Sequence, residues 1–311
     1  MRNGRFFRLA LGTLVVLVSS LSAVEARSGS AHPVTPDPNG HGFASVYGSV
    51  PASQAESLST PDQMKSAAAS GAPTLVWEVL EHGERVECLD CIPGVARLLY
   101  DRNAKTREIA AWWLRRRIFG VFGPGEVYEQ TIQTLASDAD PDHRAYAAYA
   151  LGEFFATPGI AACAQAIGTD AEPRVRAAAA SALGRLNDDG AGALTMALGD
   201  SDPTVKLAAL SSAARVNTFS GLSAVAAIAM DADARVRRRA VEVLDALHAK
   251  DTVVAVAAVA QSDADAGVRA AAAHALGTFR DSSARAVLEA LATTDPDTFV
   301  RDQAQIAIRR L

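Results

Sequence analysis

The chain has 311 residues, 49% of them hydrophobic but only 6% aromatic, and carries a formal charge of −5 at pH 7. That acidic balance lacks the basic footprint needed to displace counterions from a phosphate backbone, so no nucleic-acid partner is expected. Ala is abundant while strand-forming runs of Val, Ile and Thr are scarce, which points to an all-α chain whose helices pack closely through small side chains.

Three arginines, Arg2, Arg5 and Arg8, precede an apolar run from Leu9 to Val18, and Val24-Glu25-Ala26 offers small residues at the two positions a signal peptidase reads. This predicts a signal peptide over 1–26 and export to the periplasm or the cell exterior. The run is shorter than the roughly 20 residues of a membrane span; left uncleaved, it would anchor the chain to the membrane. Cleavage removes three Arg and one Glu, taking the formal charge from −5 to −7. Residues 27–72 follow, with five Pro, five Gly and nine Ser. They have too little apolar surface to offset ordering and read as a disordered tether. His32 and His41 lie within it, too isolated to form a metal site.

Order is expected over 73–311. Leu75, Val76, Val79 and Leu80 recur at helical spacing and Gly83 closes that helix. Cys88-Leu-Asp-Cys91 places two thiols two residues apart. In an oxidising compartment they predict a local disulfide; a redox-active pair is the competing reading, and it would make the protein a redox or cofactor-handling accessory. Pro93 then opens a helix bearing Val95, Leu98 and Leu99. A further helix runs from about Ala104 to Phe119 and ends at Gly120. It carries Trp112 and Trp113 beside Arg115, Arg116 and Arg117, an aromatic-arginine patch suited to gripping a partner or closing an array end.

From Asp101 onward one pattern returns. Copies begin at Asp101, Asp138, Asp170, Asp200, Asp231, Asp263 and Asp295, with Arg107, Arg144, Arg176, Arg237, Arg269 and Arg301 six places later and Lys206 in the remaining copy. A period near thirty residues marks a solenoid whose units pack only on their neighbours. In the unit around Asp170, a first helix spans Ile160 to Ile167 and stops at Gly168. Asp170 and Glu172 then favour a helix start, Pro173 fits its first turn, and Gly184 is placed to close it in the left-handed conformation. About seven stacked helix pairs result, their second helices starting near 101, 138, 170, 200, 231, 263 and 295.

The carriers Asp138-Ala-Asp-Pro with Arg144 and Leu151-Gly152, Asp170 with Val175-Arg176 and Leu183-Gly184, and Asp263-Ala-Asp with Val268-Arg269 and Leu276-Gly277 resemble the short HEAT repeats first associated with phycobilin lyases. The resemblance covers about Ile92 to Leu311. It implies a hydrogen-bonded ladder through the stack, built from Asp138, Arg144, Asp170, Arg176, Asp231, Arg237, Asp263, Arg269, Asp295 and Arg301. It also implies an extended face lined by the second helices, here offering Arg238, Glu242, Asp245 and His248 in one repeat and mainly Ala in others.

No phosphate loop, nucleophile elbow or His-Glu-x-x-His motif occurs, and no His-Glu dipeptide of the kind that holds two irons in some HEAT-like hydroxylases. No metal site or cofactor is expected. The reading is an exported, non-catalytic scaffold for a protein or peptide partner, with association to the envelope left open. Trp112, Trp113, Arg115, Arg116, Arg238 and Glu242 are the candidate contacts.

Overall fold

The computed structural model describes residues 59–117, 125–186 and 190–311. The proposed signal peptide and most of the proposed tether lie outside the described residues; the helix expected to reach Phe119 ends at Arg115, with Arg116 as its cap. Within them the chain is helical, with no strand. Sixteen α-helices follow one another: α1 (Pro61–Ser70), α2 (Pro73–His82), α3 (Ile92–Arg97), α4 (Ala104–Arg115), α5 (Glu126–Ser137), α6 (Pro141–Phe154), α7 (Pro158–Thr169), α8 (Pro173–Leu186), α9 (Ala191–Ala197), α10 (Pro203–Ala213), α11 (Leu222–Ile228), α12 (Ala234–Ala246), α13 (Val253–Ser262), α14 (Ala266–Phe279), α15 (Arg285–Thr294) and α16 (Thr298–Ile308).

Each repeat pairs an odd-numbered first helix with an even-numbered second helix. The corner between them is written in the motif. Its leading Asp ends the first helix in extended backbone, as at Asp138, Asp170, Asp263 and Asp295. The same carboxylate accepts from the N–H two residues on, from Asp140, Glu172, Asp265 and Asp297 respectively. The next polar residue caps the second helix: Asp140, Asp202, Asp233 and Asp297 each accept from a first-turn N–H that has no intrahelical partner. Pro141, Pro173 and Pro203 fill positions where the missing N–H costs nothing.

Second helices stack on second helices, α4 on α6 and onward to α16, each backed by its own first helix. Val175, Val205, Val236, Val268 and Val300, one before the basic residue of the motif, are all fully buried in the shared core.

Two expectations are corrected. Residues 61–70, placed in the tether, form α1. A capping box at Thr60 and Gln63 starts this helix, and Met64 and Ala67 bury into the core. With α2, which packs on α4, α1 makes a further helix pair ahead of the seven repeats. The short, Ser- and Ala-rich segment lacks the Asp…Arg signature, so its order comes from docking rather than from its own pattern.

The second correction concerns glycine. The first helix of the Asp170 unit runs through Gly168, and α8 continues through Gly184. What Gly184 provides is room for a neighbouring backbone. A Cβ there would stand 2.8 Å from Ser212 Cα, and at Gly152 and Gly277 it would stand 2.9 Å from Ala182 Cα and 2.7 Å from Ala307 Cα. The left-handed positions past the second helices fall on non-glycine residues, Phe155, His248 and Arg280, while Gly71 takes that conformation at the end of α1.

Candidate functional site

The ladder is internal and directional. Arg144 donates from Nε to Asp170 Oδ2 at 2.7 Å and from Nη2 to Asp170 Oδ1 at 3.0 Å, while Nη1 holds the carbonyl of Asp138 at 2.9 Å. Arg176 repeats this on Asp200 and the carbonyl of Asp170, Arg237 on Asp263, and Arg269 on Asp295. Lys206 reaches Asp231 with a single ammonium contact. Two-pronged guanidinium–carboxylate pairs favour both charged forms. Accordingly the hydrogen bond from Arg176 holds the Asp200 carboxyl below its ordinary range, and Arg237 and Arg269 do the same for Asp263 and Asp295. With their carboxylates almost fully enclosed, the rungs act as structural bolts between repeats.

The ladder is shorter than the resemblance implied. Asp138 receives no rung, because Arg107 bonds the carbonyls of Asp101 and Arg102 and lies 3.8 Å from the Tyr146 ring centroid. Among the described residues Arg301 bonds carbonyls of its own repeat, those of Asp295 and Pro296.

The predicted aromatic-arginine patch is taken apart by the structure. Trp113 is fully buried and donates from Nε1 to the Gly83 carbonyl at 3.0 Å, so it is no partner contact. Arg117 is buried beside it and holds the carbonyls of Trp113, Gly83, Glu84 and Val86; burial pulls its pKa down to about 10. Together they staple the turn after α2 onto α4. These large side chains cover the seam with α2 rather than closing an open end. Arg116 pairs with Glu84 at 3.0 Å on the surface. Trp112 stays half-buried, and Arg115 lies 5.0 Å from the ring of Phe155.

Phe155 is more than half exposed and held between Arg115 and Arg185; Arg185 in turn pairs with the buried Glu153 at 2.6 Å. Burial, reinforced by Glu153, pushes the Tyr149 phenol well above its ordinary range. This forms one polar-aromatic cluster on the second-helix face. The second lies on α12, α14 and α16. Arg238 pairs with Glu242 at 2.9 Å and Arg239 with the same carboxylate at 3.3 Å. Alongside them Asp245, His274, Phe299 and Gln303 line a groove of about 260 Å³. Between the clusters the face carries Ala178, Ser181, Leu207 and Ser211. Sequence reasoning missed Phe155, Arg185, His274 and Phe299 as members of these clusters. Aligning the repeats on the leading Asp would have shown that all four stand on second helices or just beyond their ends.

Cys88 and Cys91 are joined in a disulfide, and both are buried, at 5% and 1% exposure. Cys163 is fully enclosed, and desolvation pushes its thiol up to about 12. No group of three or more His, Cys, Asp and Glu among the described residues is arranged to hold a metal ion. No described helix is long and apolar enough to cross a membrane.

A family model described as HEAT repeats matches residues 128–218 and 222–309, more than half of the chain. The chain belongs to the HEAT-repeat family. The X-ray structure of YibA from Escherichia coli is similar to this HEAT array at 17% identity with a TM-score of 0.55, covering 86% of this chain and 98% of that one. Human deoxyhypusine hydroxylase is similar at 19% identity and a TM-score of 0.36, covering 85% and 98%. The CpcE–CpcF complex of phycocyanin lyase from Nostoc sp. PCC7120 is similar at 18% identity and 0.39, covering 71% and 94%. At these identities the likeness to solved structures is one of fold. No curated protein matches this HEAT chain by sequence.

Proposed function

We propose that this HEAT array is an exported, non-catalytic scaffold that binds a protein or peptide segment along the face of its second helices. One observation carries the reading. The ladder charges are enclosed and spent on the fold, while the second-helix face also carries two polar-aromatic clusters with exposed members, Phe155 in one and Arg238 and Phe299 in the other. A face with small residues between two such clusters suits an extended or helical segment better than a small molecule, which is held by a deep concavity. The arginine-led apolar start of the chain supports export, and the envelope or cell exterior is the proposed location. Burial of both Cys88 and Cys91 favours a structural disulfide over the redox accessory, because exchange needs a sulfur open to an attacking thiolate.

In-cell crosslinking of the full chain, followed by purification, tests this directly. A stoichiometric partner that persists in Cys88→Ser/Cys91→Ser and is lost in Arg238→Ala/Glu242→Ala or Trp112→Ala, with melting unchanged, is the expected result. A partner captured only through the thiols would overturn the scaffold and restore the redox reading.

A further inference from the structure

The second helices carry one position, fourteen places after the leading Asp, that faces the next second helix. Gly152, Gly184 and Gly277 stand there where the approach is tightest. In α12 the equivalent residue is Asp245. Its carboxylate lines a groove of about 260 Å³ together with residues of α14 and α16. The floor of the groove is Gly267, Ala270 and Ala271, too short to fill it, and Phe299 of α16, 59% exposed, stands among its lining residues.

The carboxylate itself is incompletely satisfied. Asp245 Oδ2 lies 3.6 Å from His274 Nε2, beyond a good hydrogen bond, and Oδ1 is buried with no partner. A buried charged acceptor left unmade is costly, and native proteins seldom keep one without a use. The neighbouring charges do not supply the missing donor. Arg238 and Arg239 both converge on Glu242, so the one acid they leave over is Asp245.

We infer that this groove is a slot for the basic side chain of a bound peptide: an arginine or lysine whose N–H groups donate to the accessible edge of the Asp245 carboxylate, at Oδ2, while its methylene stem lies on Ala270 and Ala271 beside the Phe299 ring. The acid supplies charge complementarity, the ring adds a cation–π face, and the small floor accommodates an aliphatic stem. The inference deepens the scaffold reading and rests on it for the peptide that brings the side chain.

The test uses the full chain and three probes, N-acetyl amides of arginine, lysine and norleucine, with the Gly267 amide and His274 imidazole signals followed by NMR at millimolar probe. Saturable shifts with the two basic amides and none with norleucine are expected, and the stronger basic probe identifies which side chain the slot takes. Asp245→Asn should weaken binding about tenfold, the loss of one charge-assisted hydrogen bond. Phe299→Leu, at an exposed position, should weaken it about two- to fivefold while melting is unchanged. Equal binding of norleucine, or no saturable shift with any amide, overturns the slot. The two readings separate cleanly. A crosslinked partner retained in full by Asp245→Asn and Phe299→Leu sinks the slot and leaves the scaffold. Basic amides that bind although no partner is ever crosslinked sustain the slot and sink the scaffold.

Discussion

Two kinds of seam run between the second helices. Between α8 and α10, and between α14 and α16, glycine lets one helix backbone rest almost on the next. Between α12 and α14, and between α4 and α6, Asp245 and Arg115 occupy the same register position, and contact between the helices is less extensive. The α10–α12 joint, with the small Ala214 at that position, has the sparsest contact of all, so glycine marks the tight joints while other packing sets how open the rest are. The Asp245 cluster sits at an open joint, whereas the Phe155 cluster spans the open α4–α6 joint and the tight α6–α8 joint, where Arg185 pairs with Glu153.

The rungs are common to both kinds of joint, and removing one should have the largest effect. Arg269→Ala leaves Asp295, whose side chain is only 3% exposed, charged without its partner. A loss of about 2–4 kcal/mol is expected, seen as a melting temperature lowered by roughly 5–15 °C in calorimetry. Gly184→Ala should strike the tight joint. The added methyl meets the Ser212 backbone, a packing cost of about 1–3 kcal/mol, against which the helix gains roughly 1 kcal/mol in propensity. The reverse exchange Ala214→Gly, at the same register position, should lose only that propensity. A melting temperature raised by Gly184→Ala, with Ala214→Gly lowering it, would mean that propensity alone acts at both positions and that the glycine does not set the spacing.

Acid should dissolve the rungs at both kinds of joint. The carboxyls of Asp200, Asp263 and Asp295 are held below their ordinary range by Arg176, Arg237 and Arg269. A depressed folded value means stabilisation that is complete above the unfolded value of about 3.9 and lost as pH falls through the folded one. Urea midpoints should be level near neutrality and drop below about pH 4, and Arg269→Ala should flatten that drop. The smallest effect is a gain. Arg280 sits in the left-handed region at φ 54° just past α14, so Arg280→Gly should raise stability by about 0.5–1 kcal/mol.

Much of this was legible in the residues themselves. The Asp–x–Asp–Pro run marks both the corner and the cap, so every second helix begins within a few residues of its Asp. The rungs could be named in advance because donor and acceptor repeat at constant spacing. The pair α1–α2 was not legible, since Ser59 to Ser70 has no repeat signature and is ordered by what it packs on. Trp113 next to three arginines looked like a surface patch because adjacent positions on a helix point to different sides, and only the Gly83 carbonyl shows which side is inside. The Asp245 groove draws on three repeats at once, so local pattern could not assemble it. The register position was nonetheless open to inspection: Arg115, Gly152, Gly184, Ala214, Asp245, Gly277, Arg309.

Each bolted repeat reaches forward with a cation and is held from behind by its own carboxylate. A whole repeat copied into the middle of the array would thus find both partners waiting, and neither charge would be orphaned. Growth and shrinkage by duplication or loss are therefore tolerated in the interior.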